Sequence, residues 1–175
     1  MSDLEKEPQA VVLDIRFLIS HPAYLFALGF GSGLSPVLQG TAGTLFAWLS
    51  FGALSAAWPD IFNTYTWAAI IVAGFFYGIS ICHKTGIALN CPDHGCMVWD
   101  EIIAFWLVLL LLMPASITVQ FSAFLVFRFF DMVKPQPIKY FDTHFKGGFG
   151  VMWDDIVAAF FTLLVFALWS TYTSA

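Results

Sequence analysis

Charged side chains are scarce in this 175-residue chain, because Asp, Glu, Lys and Arg make up 11% of it against about 25% in an ordinary soluble domain. Hydrophobic residues make up 59%, and the mean hydropathy is +0.81. A soluble globule of this size would expose a large apolar surface to water. A disordered chain would be poor in aromatic residues, which here reach 18%. The composition excludes both classes and predicts a protein of the lipid bilayer.

Basic residues are rarer still, with seven Lys and Arg against twelve Asp and Glu, and the net charge is −5. No basic patch for nucleic acid is available. The N-terminus also lacks the basic and apolar regions of a secretory signal. We therefore expect an acidic tail over residues 1–16 and a single integral-membrane helical domain over 17–175. Three cysteines without a framework spacing indicate reduced thiols.

Long apolar runs predict an all-α, polytopic membrane bundle of about five spanning helices. A further run at 24–38 is broken by glycines and Pro36, which predicts an N-terminal interfacial or half-inserted helix. Each unbroken run gives roughly 25 Å of helix against a bilayer core of ~30 Å, so each helix must extend into its flanks. The five runs are 44–58, 66–82, 97–113, 117–133 and 156–172.

The positive charges indicate the orientation of these helices. If the N-terminus is cytoplasmic and five helices span, every Lys and Arg lies at the cytoplasmic side, and the loops at 59–65 and 114–116 contain none. This pattern follows the positive-inside rule. The residues concerned are Lys6, Arg16, Lys84, Arg128, Lys134, Lys139 and Lys146.

Five carboxylates are expected to meet at the cytoplasmic face. Asp100 and Glu101 open the third predicted helix, Asp131 lies near the inner end of the fourth, and Asp154 and Asp155 open the fifth. Carboxylates at a membrane face are costly and repel one another, so they indicate a bound cation, and oxygen ligands favour Mg²⁺ or a related metal. Each adjacent pair could instead cap its helix. Neighbours in a helix point about 100° apart, so one member of a pair would ligate directly and the other through water.

Two basic residues flank one of these acids on the same helix stripe. Arg128, Asp131 and Lys134 follow one another at intervals of three, before Pro135 and Pro137 end the helix. A salt bridge at a helix end is the simpler interpretation. Beside so many carboxylates, the two cations also suit a phosphate bound through metal.

Glycine-rich segments precede two of the predicted helices, and such segments offer backbone N–H groups to anions. In the first, the candidate phosphate contacts are Gly40, Thr41, Gly43 and Thr44; the second is 147–150. Close helix packing is the alternative explanation. The cysteine–histidine loop Cys91-Pro-Asp-His94-Gly-Cys96 is an incomplete zinc set, which we interpret as a structured loop.

Over roughly residues 20–172 the chain resembles the phosphatidylglycerophosphatase A family, in order and spacing. The motifs that carry the resemblance are Gly29-Phe-Gly-Ser-Gly-Leu-Ser-Pro36, Gly40-Thr-Ala-Gly-Thr44, Asp93-His94, Val98-Trp-Asp-Glu101, Phe127-Arg-Phe-Phe-Asp-Met-Val-Lys-Pro-Gln-Pro-Ile138 and Gly147-Gly-Phe-Gly-Val-Met-Trp-Asp-Asp155. Ala104 departs from the small Gly that is usual in the family, which should affect packing more than chemistry.

The resemblance implies a Mg²⁺-dependent lipid phosphatase of the bacterial inner membrane. Its substrate would be phosphatidylglycerol phosphate and its lipid product phosphatidylglycerol. On this interpretation Asp131, with some of Asp100, Glu101, Asp154 and Asp155, holds Mg²⁺. Arg128 and Lys134 then clamp the phosphate, with the Gly40–Thr44 amides nearby.

Four alternatives stay open at this point. A covalent route through Thr41 or Thr44 ranks second to attack by water, because the sequence offers no partner base. A small transporter or channel would use the same charges at mid-depth. A non-catalytic membrane subunit would leave the carboxylates unexplained, and a related phospholipid monoester could replace the substrate. The sequence pattern specifies no oligomeric state.

Overall fold

The computed structural model describes residues 12–136 and 147–173, which form seven α-helices and one 3₁₀ segment without any strand. This confirms the all-α prediction. The acidic residues 1–11 lie outside the described ranges, and the predicted domain boundary at residue 16 falls in the first turn of α1. The helices are α1 (Ile15–Ser20), α2 (Pro22–Ala27), α3 (Gln39–Ala57), α4 (Thr64–Ala88), α5 (Trp99–Leu112), α6 (Ile117–Val133) and α7 (Gly147–Thr173).

The N-terminal region consists of short pieces. Asp14 caps α1 by accepting a hydrogen bond from the Phe17 amide at 2.9 Å, and His21 caps α2 in the same way through Nδ1. The 3₁₀ segment Gly29–Leu34 follows and packs against α3. No helix long enough to span a bilayer forms over 24–38, as the glycines and proline predict.

Helix α5 is short but central, and it packs against α3, α4, α6 and α7. Nine of its 14 residues are buried. A helix that is apolar on all sides is expected in such a position. Because Glu101 lies in its first turn, the central place of α5 brings this carboxylate within reach of the surrounding helices.

Tryptophan N–H groups join α5 to its neighbours. The indole of Trp99 donates to the Gly74 carbonyl of α4 at 3.0 Å, and that of Trp106 donates to the Ala47 carbonyl of α3 at 2.9 Å. Each bond satisfies a donor that burial would otherwise leave unpaired. These hydrogen bonds fix the position of α5 along α3 and α4. They therefore also fix the position of Glu101, which lies in the first turn of α5.

Two of the helices are long and apolar enough to cross a membrane. α4 has 25 residues and a mean hydropathy of 1.7 in its candidate span, and α7 has 27 residues and 2.0. Only 33% and 39% of these spans are buried, whereas the core helix of a soluble protein is mostly buried. α5 has 14 residues, or about 21 Å, which is short of a ~30 Å core. The remaining three spans of the predicted five stay a prediction.

Two helices begin earlier than the apolar runs predict. α3 starts at Gln39 and α7 at Gly147, so both glycine-rich segments are helical turns rather than preceding loops. Asp154 and Asp155 consequently lie in the third turn of α7 rather than its first. The cause is tertiary packing, because Gly148 lies against the Ile79 backbone of α4 with no room for a Cβ. A 27-residue helix is about 40 Å long, so its first turns can extend beyond the hydrocarbon.

Candidate active site

Three carboxylates from three helices converge at one end of the bundle. Glu101 comes from α5, Asp131 from the last turn of α6 and Asp155 from α7, and one oxygen of each lies within 4.8 Å of the others. The Glu101 and Asp131 side chains are each 12% exposed, and Asp155 is buried. The cluster therefore reaches the surface only at its edge. Carboxylate oxygens at this spacing suit a hard divalent cation.

Arg128 binds two of these carboxylates from one turn earlier on α6. Its Nη1 lies 3.1 Å from Glu101 Oε1 and 2.6 Å from Asp131 Oδ2. The same nitrogen donates to the Thr44 hydroxyl of α3 at 3.3 Å. A charge-assisted bond to each carboxylate lowers their mutual repulsion and orients them. Of the predicted stripe of Arg128, Asp131 and Lys134, the first two form an ion pair, and Arg128 also pairs with Glu101.

The carboxylate oxygens that Arg128 does not contact show whether the cluster fits a metal ion. Glu101 Oε2 and Asp155 Oδ2 are buried, and no hydrogen-bond donor of the described residues contacts them. A buried carboxylate oxygen without a partner is costly, and native proteins seldom contain one. A divalent cation would satisfy both oxygens at once, so the residues present fit a metal site.

The backbone of α3 approaches Glu101 directly at two glycines. A Cβ on Gly40 would collide with Glu101 Oε1 and lie 2.8 Å from Arg128 Nη2. A Cβ on Gly43 would lie 2.9 Å from Glu101 Oε2. The sequence pattern predicts phosphate binding for these glycines and does not reveal this contact with Glu101. Their spacing of three, which places both on one helix face, was the available signal.

Three of the five predicted carboxylates converge, and the other two lie beside them. Asp154 accepts a hydrogen bond from Lys134 Nζ at 2.5 Å and one from the Asp155 amide at 3.1 Å. Asp100 is buried outside the converging three, and its Oδ1 has no partner among the described residues. Lys134, which ends α6 with φ 43°, therefore ties α6 to α7 through Asp154. The structure brings together Glu101, Asp131 and Asp155, and places Asp100 and Asp154 around them.

The predicted phosphate segment forms the first turns of α3. The amides of Gly40 and Thr41 precede the first bond of the helix, which the Ala42 amide donates to the Leu38 carbonyl at 3.0 Å. Thr41 is half-buried there. Thr44 is fully buried, and its hydroxyl donates to the Gly40 carbonyl at 2.9 Å. The N–H groups of this segment that have no intrahelical partner are therefore the early amides rather than those of Gly43 and Thr44, and anion binding by them stays a prediction.

The cysteine–histidine loop is held by its own bonds. His94 Nδ1 accepts from the Cys96 amide at 3.2 Å, and the Cys91 thiol contacts the Asp93 carbonyl at 3.6 Å. Burial raises the pKa of Cys96 to about 11, so this thiol stays neutral at physiological pH. Within residues 12–136 and 147–173, the only converging group of metal-type ligands is the carboxylate cluster. These contacts agree with a structured loop.

Comparison with known proteins shows that the chain is similar to one family. The family model for phosphatidylglycerophosphatase A matches residues 25–170. The chain is 40% identical to phosphatidylglycerophosphatase A of Escherichia coli over 82% of this chain and 80% of the relative. It is 39% identical to the Haemophilus influenzae protein of the same name over 86% and 90%. A Bacteroides thetaiotaomicron relative, 36% identical over 82% and 91%, is provisionally named a phosphatidylinositol-3-phosphatase. No solved structure matches the chain significantly.

Proposed function

Because this chain belongs to the phosphatidylglycerophosphatase A family, and is therefore a phosphatase, we propose that it hydrolyses phosphatidylglycerol phosphate. The reaction removes the terminal phosphate monoester and yields phosphatidylglycerol and phosphate, in phospholipid biosynthesis. The observation that carries the proposal is the convergence of Glu101, Asp131 and Asp155 beside Arg128. A lipid phosphate lies at headgroup level, where a cluster at one end of a membrane bundle can reach it.

Glu101, Asp131 and Asp155 would hold Mg²⁺, through the two unpartnered oxygens and one oxygen of Asp131. When bound, Mg²⁺ supplies charge neutralisation on the phosphoryl oxygens and activation of water. Asp100 and Asp154 surround this set, and we assign them a supporting role through water or through Lys134. Arg128 keeps Glu101 Oε1 and Asp131 Oδ2 fixed, so these two ligands need little reorganisation.

Arg128 and Lys134 bind the phosphate in this proposal. Arg128 engages its carboxylates through Nη1, while its Nε has no partner among the described residues. Nε and Nη2 form one edge of the planar guanidinium, and this edge can bind two phosphate oxygens. Lys134 contributes a point charge from beside Asp154. The Gly40 and Thr41 amides at the start of α3, where the Gly40 backbone lies beside Arg128, add two N–H donors.

We propose that water attacks the phosphorus directly, rather than that a threonine forms a covalent phosphoryl intermediate. The Thr44 hydroxyl donates its hydrogen bond to the Gly40 carbonyl, and this carbonyl cannot act as a general base. Thr41 lies in the first turn of α3 and stays the second candidate nucleophile. Nothing in the proposal requires a second cofactor.

We place the enzyme in the bacterial inner membrane as a multi-pass protein with a cytoplasmic N-terminus. The candidate spans α4 and α7 support a membrane location, and the charge distribution supports the orientation. The acidic cluster then faces the cytoplasm. A transporter or channel remains the rival class, and it requires a charged path through the bundle rather than a cluster at one end.

The test is phosphate release from phosphatidylglycerol phosphate in mixed micelles, by purified protein with Mg²⁺ and with a chelator. We expect chelation to abolish release and added Mg²⁺ to restore it. Asp131→Asn should lower kcat/KM at least about 100-fold, because it removes a metal ligand. Asp60→Asn, in an exposed loop, is the matched control. Absence of release by the wild-type protein with Mg²⁺ would refute the proposal.

The substrate range is tested in the same assay with other lipid phosphate monoesters. The name of the Bacteroides relative motivates phosphatidylinositol 3-phosphate as the second substrate. We expect phosphatidylglycerol phosphate to give the highest kcat/KM. A higher value for the inositol lipid would leave the phosphatase assignment intact and change the substrate.

A further inference from the structure

Thr44 occupies a place between the α3 backbone and Arg128. Its side chain is fully buried in the second turn of α3. The hydroxyl donates its one proton to the Gly40 carbonyl at 2.9 Å and accepts from Arg128 Nη1 at 3.3 Å. Because that proton is already used, the hydroxyl has no donor left for a phosphate oxygen.

Arg128 makes its polar contacts with the described residues through one nitrogen of its guanidinium. In the part of the chain that the structure describes, every hydrogen bond and ion pair of Arg128 uses Nη1, with Thr44, Glu101 and Asp131 as partners. Nε is buried and unpartnered there. Since the guanidinium is planar, three contacts at Nη1 fix the direction in which the Nε–Nη2 edge points.

We infer that Thr44 is a positioning residue for a phosphate monoester, acting through Arg128 rather than by touching the substrate. If only the Glu101 and Asp131 carboxylates held the guanidinium, it would move with them when they bind a metal. Thr44 anchors the same nitrogen to α3, whose backbone also abuts Glu101. The inference rests on the proposed function, because it assigns the free edge of Arg128 to the substrate phosphate.

The test compares three variants in the phosphate-release assay with Mg²⁺. Thr44→Val keeps the shape and removes the hydroxyl, and Thr44→Ser keeps the hydroxyl. Thr162→Val is the matched control, because Thr162 is also fully buried and donates to the carbonyl four residues earlier, Ala158, at 2.9 Å. We expect Thr44→Val to lose about tenfold in kcat/KM, the effect typical of one bond to a charged group. Thr44→Ser and Thr162→Val should stay within about twofold of wild type on the same scale.

Inhibition by inorganic phosphate separates positioning from a general loss of structure. The inhibition constant should rise about tenfold in Thr44→Val and recover in Thr44→Ser, with an unchanged melting temperature. If Thr44→Val does not fold, Thr44→Ala gives the same comparison. A normal inhibition constant and turnover in the variant without the hydroxyl would overturn this inference alone. A wild-type protein without turnover would overturn both this inference and the proposed function.

Discussion

Replacing Gly40 by alanine should lower the activity about 100-fold while leaving the fold intact. Gly40 lies in the first turn of α3, where its backbone abuts the Glu101 carboxylate. An added Cβ would collide with Glu101 Oε1 and lie 2.8 Å from both the Glu101 carboxyl carbon and Arg128 Nη2. The carboxylate and the guanidinium are both at the end of long side chains, so they, rather than the helix, would move.

The size of the effect follows from these distances. Ordinary van der Waals contact begins near 3.4 Å, so the carboxyl carbon at 2.8 Å must retreat by about 0.6 Å or more. A displacement of about 1 Å at a catalytic group can cost about 100-fold in rate. Alanine is favoured over glycine in a helix by up to about 1 kcal/mol, which offsets part of the collision. We therefore expect kcat/KM to fall about 100-fold with little change in melting temperature.

The matched control is Gly52→Ala on the same helix. A Cβ at Gly52 meets no atom within 4 Å, so this variant should keep full activity and be slightly more stable. Both variants are compared with wild type in the phosphate-release assay, with thermal unfolding as the check on folding. Full activity of Gly40→Ala would refute the idea that the position of Glu101 depends on a bare α3 backbone.

Two further predictions concern the thiols and the topology. At pH 8 a thiol with a pKa of about 11 is ionised to about one part in a thousand, so a maleimide should label half-buried Cys91 well before buried Cys96 in the native protein. Because no Lys or Arg separates the two cysteines, the order is read by fragmentation mass spectrometry of the one tryptic peptide that contains both, and equal rates would contradict the burial of Cys96. A reporter that is active only outside the cytoplasm, fused after residue 175, should be active if five helices span. An inactive reporter would instead agree with spanning by α4 and α7 alone, because an even number of spans returns the chain to its starting side.

The sequence was sufficient to predict that these elements are α-helices, since an apolar run of this length seldom forms any other secondary structure. The helix starts could not. The run at 156–172 marks only the apolar part of α7, whereas the packing of Gly148 on α4 extends the helix back to Gly147. Hydropathy reports the environment of a segment and carries no information about a contact with a distant backbone.

The charged residues could be predicted as a group, because acidic side chains near apolar runs are costly without a function. Which of these acids converge on one site could not be predicted. Glu101, Asp131 and Asp155 converge, whereas Asp154 pairs with Lys134 and Asp100 is buried outside the converging set. Adjacent residues on a helix point in different directions, and which of the two faces the cluster depends on how each helix is rotated in the bundle.

The sequence by itself determined the helical class and the family of this protein, and it predicts the lipid bilayer as the environment. Those properties depend on composition, on the length of apolar runs and on motifs that are local in the chain. The tertiary structure decided which oxygens share a site, which cation binds which acid, and that Thr44 contacts Arg128 across 84 residues of sequence. The physical reason is that a metal or phosphate site requires atoms a few ångströms apart, and only the packing of α3, α5, α6 and α7 sets those distances.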